Sequence, residues 1–123
     1  MSLDETKRRQ VEGFLKKVHA ICAVGGVTIA PREKNKAFQR RFNLSHSKQI
    51  KIIQALCADS CTAIEPNDNP RYEGSTVYKF KQEFELFSFG EKETVRMYIK
   101  MYITKVTYYD EVIVISFHKD RDL

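Results

Sequence analysis

The stretch that decides the fold is "VRMYIKMYITKVTYYDEVIVISFH", residues 95–118. Val95, Met97, Ile99, Met101 and Ile103 take the odd positions of its first half; Arg96, Tyr98, Lys100, Tyr102 and Thr104 take the even ones. Successive strand side chains point to opposite faces. The pattern therefore predicts a strand with one apolar face and one face of cations and phenols. A second strand follows, with Ile113, Ile115 and Phe117 as its expected core residues and Val114, Ser116 and His118 on the other side.

Parity then constrains the connection. Two strands of one sheet share a core face, so a two-residue turn would pair even positions with odd ones and bury His118. An odd-length loop avoids this. A connection over 105–111 sets His118 opposite Tyr98, and one over 108–110 sets it opposite Lys100. Directly opposed side chains stand about 4.5–5.5 Å apart at Cβ, and a one-residue slip would invert the whole set. Either way, Tyr98, Lys100 and His118 share a patch, with Arg96, Tyr102 and Ser116 around it.

Working outward, "TVYKFKQEFELFSF" (76–89) also alternates, with Tyr78, Phe80, Phe84 and Leu86 on one side. "GEKET" (90–94) is expected to turn the chain into the opening stretch. Residues 65–75, "EPNDNPRYEGS", carry two prolines with Asn, Asp and Gly, the composition of a loop. Before them the periodicity is helical. Val11, Phe14, Leu15, Val18, Ile21 and Cys22 recur at three- and four-residue steps, after Asp4 and Glu5 at the positive end of the helix dipole. Gly25-Gly26 stops that helix, and "VTIA" (27–30) reads as a short edge strand. Pro31 opens a basic helix over 32–42. Ser45 caps a third helix over 46–58, with Ile50, Ile53, Leu56 and Cys57 as its buried stripe. Helices first and strands afterwards predict an α+β chain, its N-terminal helices packed on one face of a C-terminal antiparallel sheet, in one domain over 1–123.

The chain of 123 residues has a formal charge of +5, unevenly spread. Residues 1–58 hold twelve Lys/Arg against four Asp/Glu, and residues 59–123 hold nine against twelve. From Arg32 to Lys51 there are seven cations and one anion. That run is either the solvated face of two surface helices or a cradle for phosphates, with Arg40 and Arg41 at its centre. Three cysteines without framework or zinc spacing fit a reducing compartment, and no metal or cofactor is expected. "AICAVGGVTIA" (20–30) is too short to span a membrane. Asp4, Glu5 and Glu12 upstream of it argue against export, so a cytoplasmic protein with no membrane partner is expected.

The polar patch can bind a phosphodiester and could cleave RNA. Such cleavage needs a base for the 2′-OH proton, an acid for the leaving 5′-oxygen and cations for the charge gained in the transition state. His118 is the one patch residue that titrates naturally near neutrality. Lys100 and Arg96 can hold phosphate, and Tyr98 can orient it or stack on an unpaired base. The plainer alternative is an ordinary solvated strand face ending in an inert histidine. No phosphate-cradling glycine loop, nucleophile elbow or acidic dyad competes.

"LFSFGEKETVRMYIKMYI" and "VIVISFHKD" resemble, in order, segments of the MqsR-type toxins (motility quorum-sensing regulator family). These are small mRNA interferases of bacterial toxin–antitoxin systems with a RelE-like α+β fold. "FNLSHSKQIKIIQAL" and "DSCTAIEPND" extend the resemblance to about residues 35–120. It implies a metal-independent endoribonuclease acting on single-stranded mRNA and a cognate antitoxin that masks the site. Tyr98, Lys100 and His118 match the family's working positions, and Ser88 falls near a further polar one. Phe87 stands where tryptophan is usual, and no lysine matches near Thr62–Ile64. A non-catalytic module that binds nucleic acid or protein through the same face is the rival reading.

Overall fold

A computed structural model describes residues 4–72, 74–106 and 108–120. Three helices, α1 (Glu5–Ala23), α2 (Glu33–Arg41) and α3 (His46–Gln54), precede most of a five-stranded sheet. The strands are β1 (Val27–Ile29), β2 (Cys61–Pro66), β3 (Thr76–Ser88), β4 (Glu91–Val106) and β5 (Tyr109–Lys119), in the order β1-β5-β4-β3-β2. Strands β2 to β5 pair antiparallel, and β1 adds to β5 in parallel at one edge. The chain is α+β, with its helices on one face.

The core forms where the periodicities meet. Val11, Phe14, Leu15 and Val18 of α1, with Ile52 and Ile53 of α3, pack on Tyr78, Phe80, Val95, Met97, Ile99 and Met101. Phe14 stacks on Tyr78 with ring centroids 3.7 Å apart, and Phe38 of α2 meets Phe117 edge-on at 6.1 Å. Asp4 and Ser45 cap α1 and α3 by accepting from the backbone N–H groups of Lys7 and Lys48.

Several boundaries differ from the sequence expectation. The third helix ends at Gln54, so Cys57 is exposed, and its buried face is Gln49, Ile52 and Ile53 rather than one led by Ile50. The second helix starts at Glu33, with Arg32 as its cap residue. "CTAIEP" forms β2 despite Pro66, which is tolerable because β2 is an edge strand. The β3–β4 turn is Phe89-Gly90, with φ of 54° and 80°, and Glu91 to Thr94 already belong to β4. Two positive φ angles match the twist of a two-residue hairpin. Beyond Phe80, no described strand pairs with the outer edge of β3; there the Gln82 amide accepts from Cys57 N and donates to Ala55 O.

The β4–β5 connection is the consequential difference. Val106 pairs with Tyr109, so two residues join the strands where an odd-length loop was expected. Parity near the turn is inverted: Val112 and Val114 are fully buried, while Ile113 and Ile115 are half-buried. The pairing then shifts, from Met101↔Val114 to Lys100↔Ser116. Ile115 is the extra residue of a β-bulge. That single insertion restores the frame, burying Phe117 against Ile99 and setting His118 opposite Tyr98.

Candidate functional site

The open face of the sheet carries two polar rows across three strands. Lys81, Tyr98 and His118 form one row, and Lys79, Lys100 and Ser116 form the next. The Tyr98 and His118 rings lie 5.8 Å apart at a 50° tilt. Thus Tyr98, Lys100 and His118 come together as the alternation predicts. Lys79 and Lys81 were missed by the sequence reading, although "VYKFKQ" places them on β3 with the same period of two.

Charge on this face is partly neutralised. Lys79 Nζ reaches Glu65 Oε1 at 2.7 Å. The hydrogen bond from Lys79 lowers the Glu65 carboxyl below its usual range, and the same bond raises Lys79. Asp120, buried at 6% exposure, receives Lys81 Nζ at 3.5 Å and Arg96 Nε at 3.4 Å. Arg96 is therefore held at the patch margin by a carboxylate. Lys100 forms no hydrogen bond or ion pair among the described residues, so its ammonium is available to an incoming anion.

His118 is oriented by its own backbone neighbourhood. Its Nδ1 lies 2.9 Å from the Lys119 carbonyl oxygen. A carbonyl only accepts, so Nδ1 carries the proton and Nε2 offers the lone pair in the neutral ring. Beneath it, Asn35 of α2 holds the bulge. Asn35 is 1% exposed; its Nδ2 donates to Ala30 O at 2.9 Å and Ile115 O at 3.0 Å, and its Oδ1 accepts from Phe117 N at 2.9 Å. One side-chain amide thus takes over where β1 stops, satisfying the backbone groups that the bulge leaves without a strand partner. Asn35, Phe38 and Phe42 follow helical spacing on the buried side of α2, which is the sequence signal for this residue.

The remaining expected site residues lie elsewhere or lie covered. Tyr102 is on the same face but 4% exposed, with the Tyr72 ring at 5.3 Å. Burial, then Tyr72, push its phenol up to about 12. Ser116 is buried, with its Oγ 3.5 Å from Arg32 Nη1. Ser88 pairs with Glu91 at the hairpin end, seven residues along β3 from Lys81. At about 3.4 Å per residue that is roughly 24 Å from the patch. Arg40 bonds Glu33 at 3.2 Å and Arg41 bonds Glu93 at 3.1 Å, both on α2 across the sheet. No group of three or more His, Cys, Asp or Glu that could hold a metal ion occurs among the described residues. No helix among them is long and apolar enough to cross a membrane.

Comparison with known proteins adds nothing to these observations: no family model, curated protein or solved structure matches the chain.

Proposed function

We propose that this chain is an endoribonuclease that cleaves single-stranded RNA on the open sheet face by metal-independent acid–base catalysis. The observation that carries the reading is the juxtaposition of imidazole, phenol and ammonium on adjacent strands, on the sheet face opposite the three α-helices. Nε2 of His118 takes the 2′-OH proton, and the 2′-oxygen attacks phosphorus. Lys100 compensates the extra charge of the phosphorane and supplies the proton to the departing 5′-oxygen. Tyr98, between Lys81 and His118, orients the phosphate or stacks on the adjoining base. The bond to the 5′-oxygen breaks, leaving a 2′,3′-cyclic phosphate and a 5′-hydroxyl.

The resemblance to MqsR-type toxins supports the same reading and extends it. It implies a RelE-like mRNA interferase in the cytoplasm, neutralised by a cognate antitoxin covering this face. Purified protein in chelator is expected to cut unstructured RNA to cyclic-phosphate ends. His118→Ala is expected to lower the rate at least 100-fold, the lower end of what a positioned acid–base group contributes, while RNA affinity changes little. Wild-type protein that binds RNA and never cuts it would instead identify a non-catalytic binding module using the same residues.

A further inference from the structure

His118 stands at a corner. One side of its ring faces Tyr98 on the open sheet face. The residue also borders a shallow pocket at the seam between α2 and β5, about 280 Å3 in volume, lined by Lys34, Ala37, Phe38, Arg41, His118 and Lys119. The seam exists because β1 ends opposite Val114, so the rest of the β5 edge is met by a helix rather than a strand. Lys34, Ala37, Phe38 and Arg41 fall at helical steps on one side of α2, so a single helix face supplies the far wall.

The chemistry of this pocket differs from that of the other clefts. A cleft of about 550 Å3 beside α1 sets Asp110 among Arg9, Lys17 and Lys105. Another, about 580 Å3 beside Arg96, carries Asp59 and Glu83 with Lys81. The seam pocket has three cations and an imidazole, and none of its lining residues is acidic. Arg41 is shared with Glu93 at 3.1 Å. Lys34 and Lys119 have no ion-pair partner among the described residues. Its volume lies at or below the lower end of small-molecule sites, which suits one backbone unit of a polymer better than a free metabolite. Ala37 and Phe38 are the apolar part of its lining.

We infer that this seam is a second phosphate subsite, through which the RNA strand leaves the open face, passes over the β5 edge at His118 and lies against α2. The subsite rests on the ribonuclease reading and deepens it. The basic run of α2 then serves the substrate from across the sheet: Lys34 and Arg41 line the subsite, whereas Arg40 lies outside its lining.

The test is fluorescence anisotropy with two uncleavable 2′-O-methyl oligonucleotides of one sequence. One is a dinucleotide; the other has about 12 nucleotides, within the range of single-strand site sizes. The Lys34→Glu/Lys119→Glu double variant is compared with wild type and with Lys7→Glu/Lys16→Glu, which makes the same charge change on exposed positions of α1. For the long oligomer, the seam variant is expected to weaken binding about tenfold or more. Its log–log salt slope should fall in magnitude by about 1.4, at roughly 0.7 for each phosphate no longer neutralised. The dinucleotide affinity should hold, and the α1 control should move far less. Equal losses in the seam and control variants, or equal losses for both oligomers, would overturn the subsite and leave a general field effect. An unchanged long-oligomer affinity would overturn the subsite alone. If wild type binds neither oligomer, the RNA reading fails and the subsite with it.

Discussion

The two halves of β5 are held by different means. From Val112 to Val114 the outer edge is a backbone ladder against β1, finished by Ala30 N donating to Val114 O at 2.8 Å. From Ile115 to Phe117 the same edge is met by side chains, chiefly the Asn35 amide, with Arg32 Nη1 at 3.4 Å from Ile115 O. A ladder fixes a strand by repetition and tolerates the loss of one rung. A side-chain clamp concentrates the constraint in one residue, but it leaves room for a bulge and for the pocket beside it. The catalytic histidine of the proposed reaction sits on the clamped half.

The largest expected effect follows from removing the clamp. Asn35→Ala strands the Phe117 N–H, at about 1–3 kcal/mol for a buried group without a partner, and leaves the Ile115 carbonyl only the longer contact from Arg32 Nη1 at 3.4 Å. A loss of about 2 kcal/mol in denaturant unfolding is expected, together with disappearance of the ring-to-ring nuclear Overhauser effect between His118 and Tyr98. A folded variant that keeps this effect at wild-type stability would show that the bulge holds itself.

The ladder half should respond differently. A Cβ on Gly26 would meet Ile21 Cγ2 at 2.7 Å and Asp110 O at 3.2 Å, and Gly26 O accepts from Val112 N at 2.8 Å. Gly26→Ala is therefore expected to cost about 1–2 kcal/mol by overpacking, with the His118–Tyr98 ring pair intact. If that pair separated as well, the halves would be coupled and the contrast wrong.

The smallest effect is spectroscopic. Tyr102 pairs with Ile113 in the ladder half and lies under Tyr72, whereas the patch tyrosine Tyr98 lies half-open. Because the Tyr102 phenol is raised to about 12, the stability linked to it is present below pH 10 and is lost as pH climbs from 10 through 12. Absorbance titration at alkaline pH should show one late tyrosinate component that Tyr102→Phe removes. A late component that survives the substitution would assign the shielded phenol elsewhere.

Legibility in the sequence follows the same division. The alternation of β4 is local, and it correctly placed Val95 to Met101 inward and Tyr98 and Lys100 outward. The α1 stripe was equally plain. On β5 an unbroken run of aliphatic residues fits either parity, and Ile113, Val114 and Ile115 lie on the faces opposite to those expected. The two-residue connection sets the parity of Val112 to Val114, and the shift back at Ile115 is held by Asn35, some 80 residues away in the chain and invisible to any periodicity. His118 reached the expected neighbour, Tyr98, through a bulge rather than through loop length. Tyr102 was placed on the correct face, but its cover comes from the 65–75 loop, whose path no local pattern dictates. Lys79 and Lys81 are legible in the alternation of "VYKFKQ", on the face opposite Tyr78 and Phe80.

The bare rim of β3 past Phe80 has a consequence for how the molecule behaves in a crowd. Unpaired strand rims attract other chains, and proteins blunt them with charge and side-chain plugs. Here Gln82 plugs the first gap with its amide, and Glu83 and Glu85 stand exposed along the rest. Charged side chains on an open strand edge disfavour its pairing with a second chain, so this rim is a poor template for edge-to-edge association.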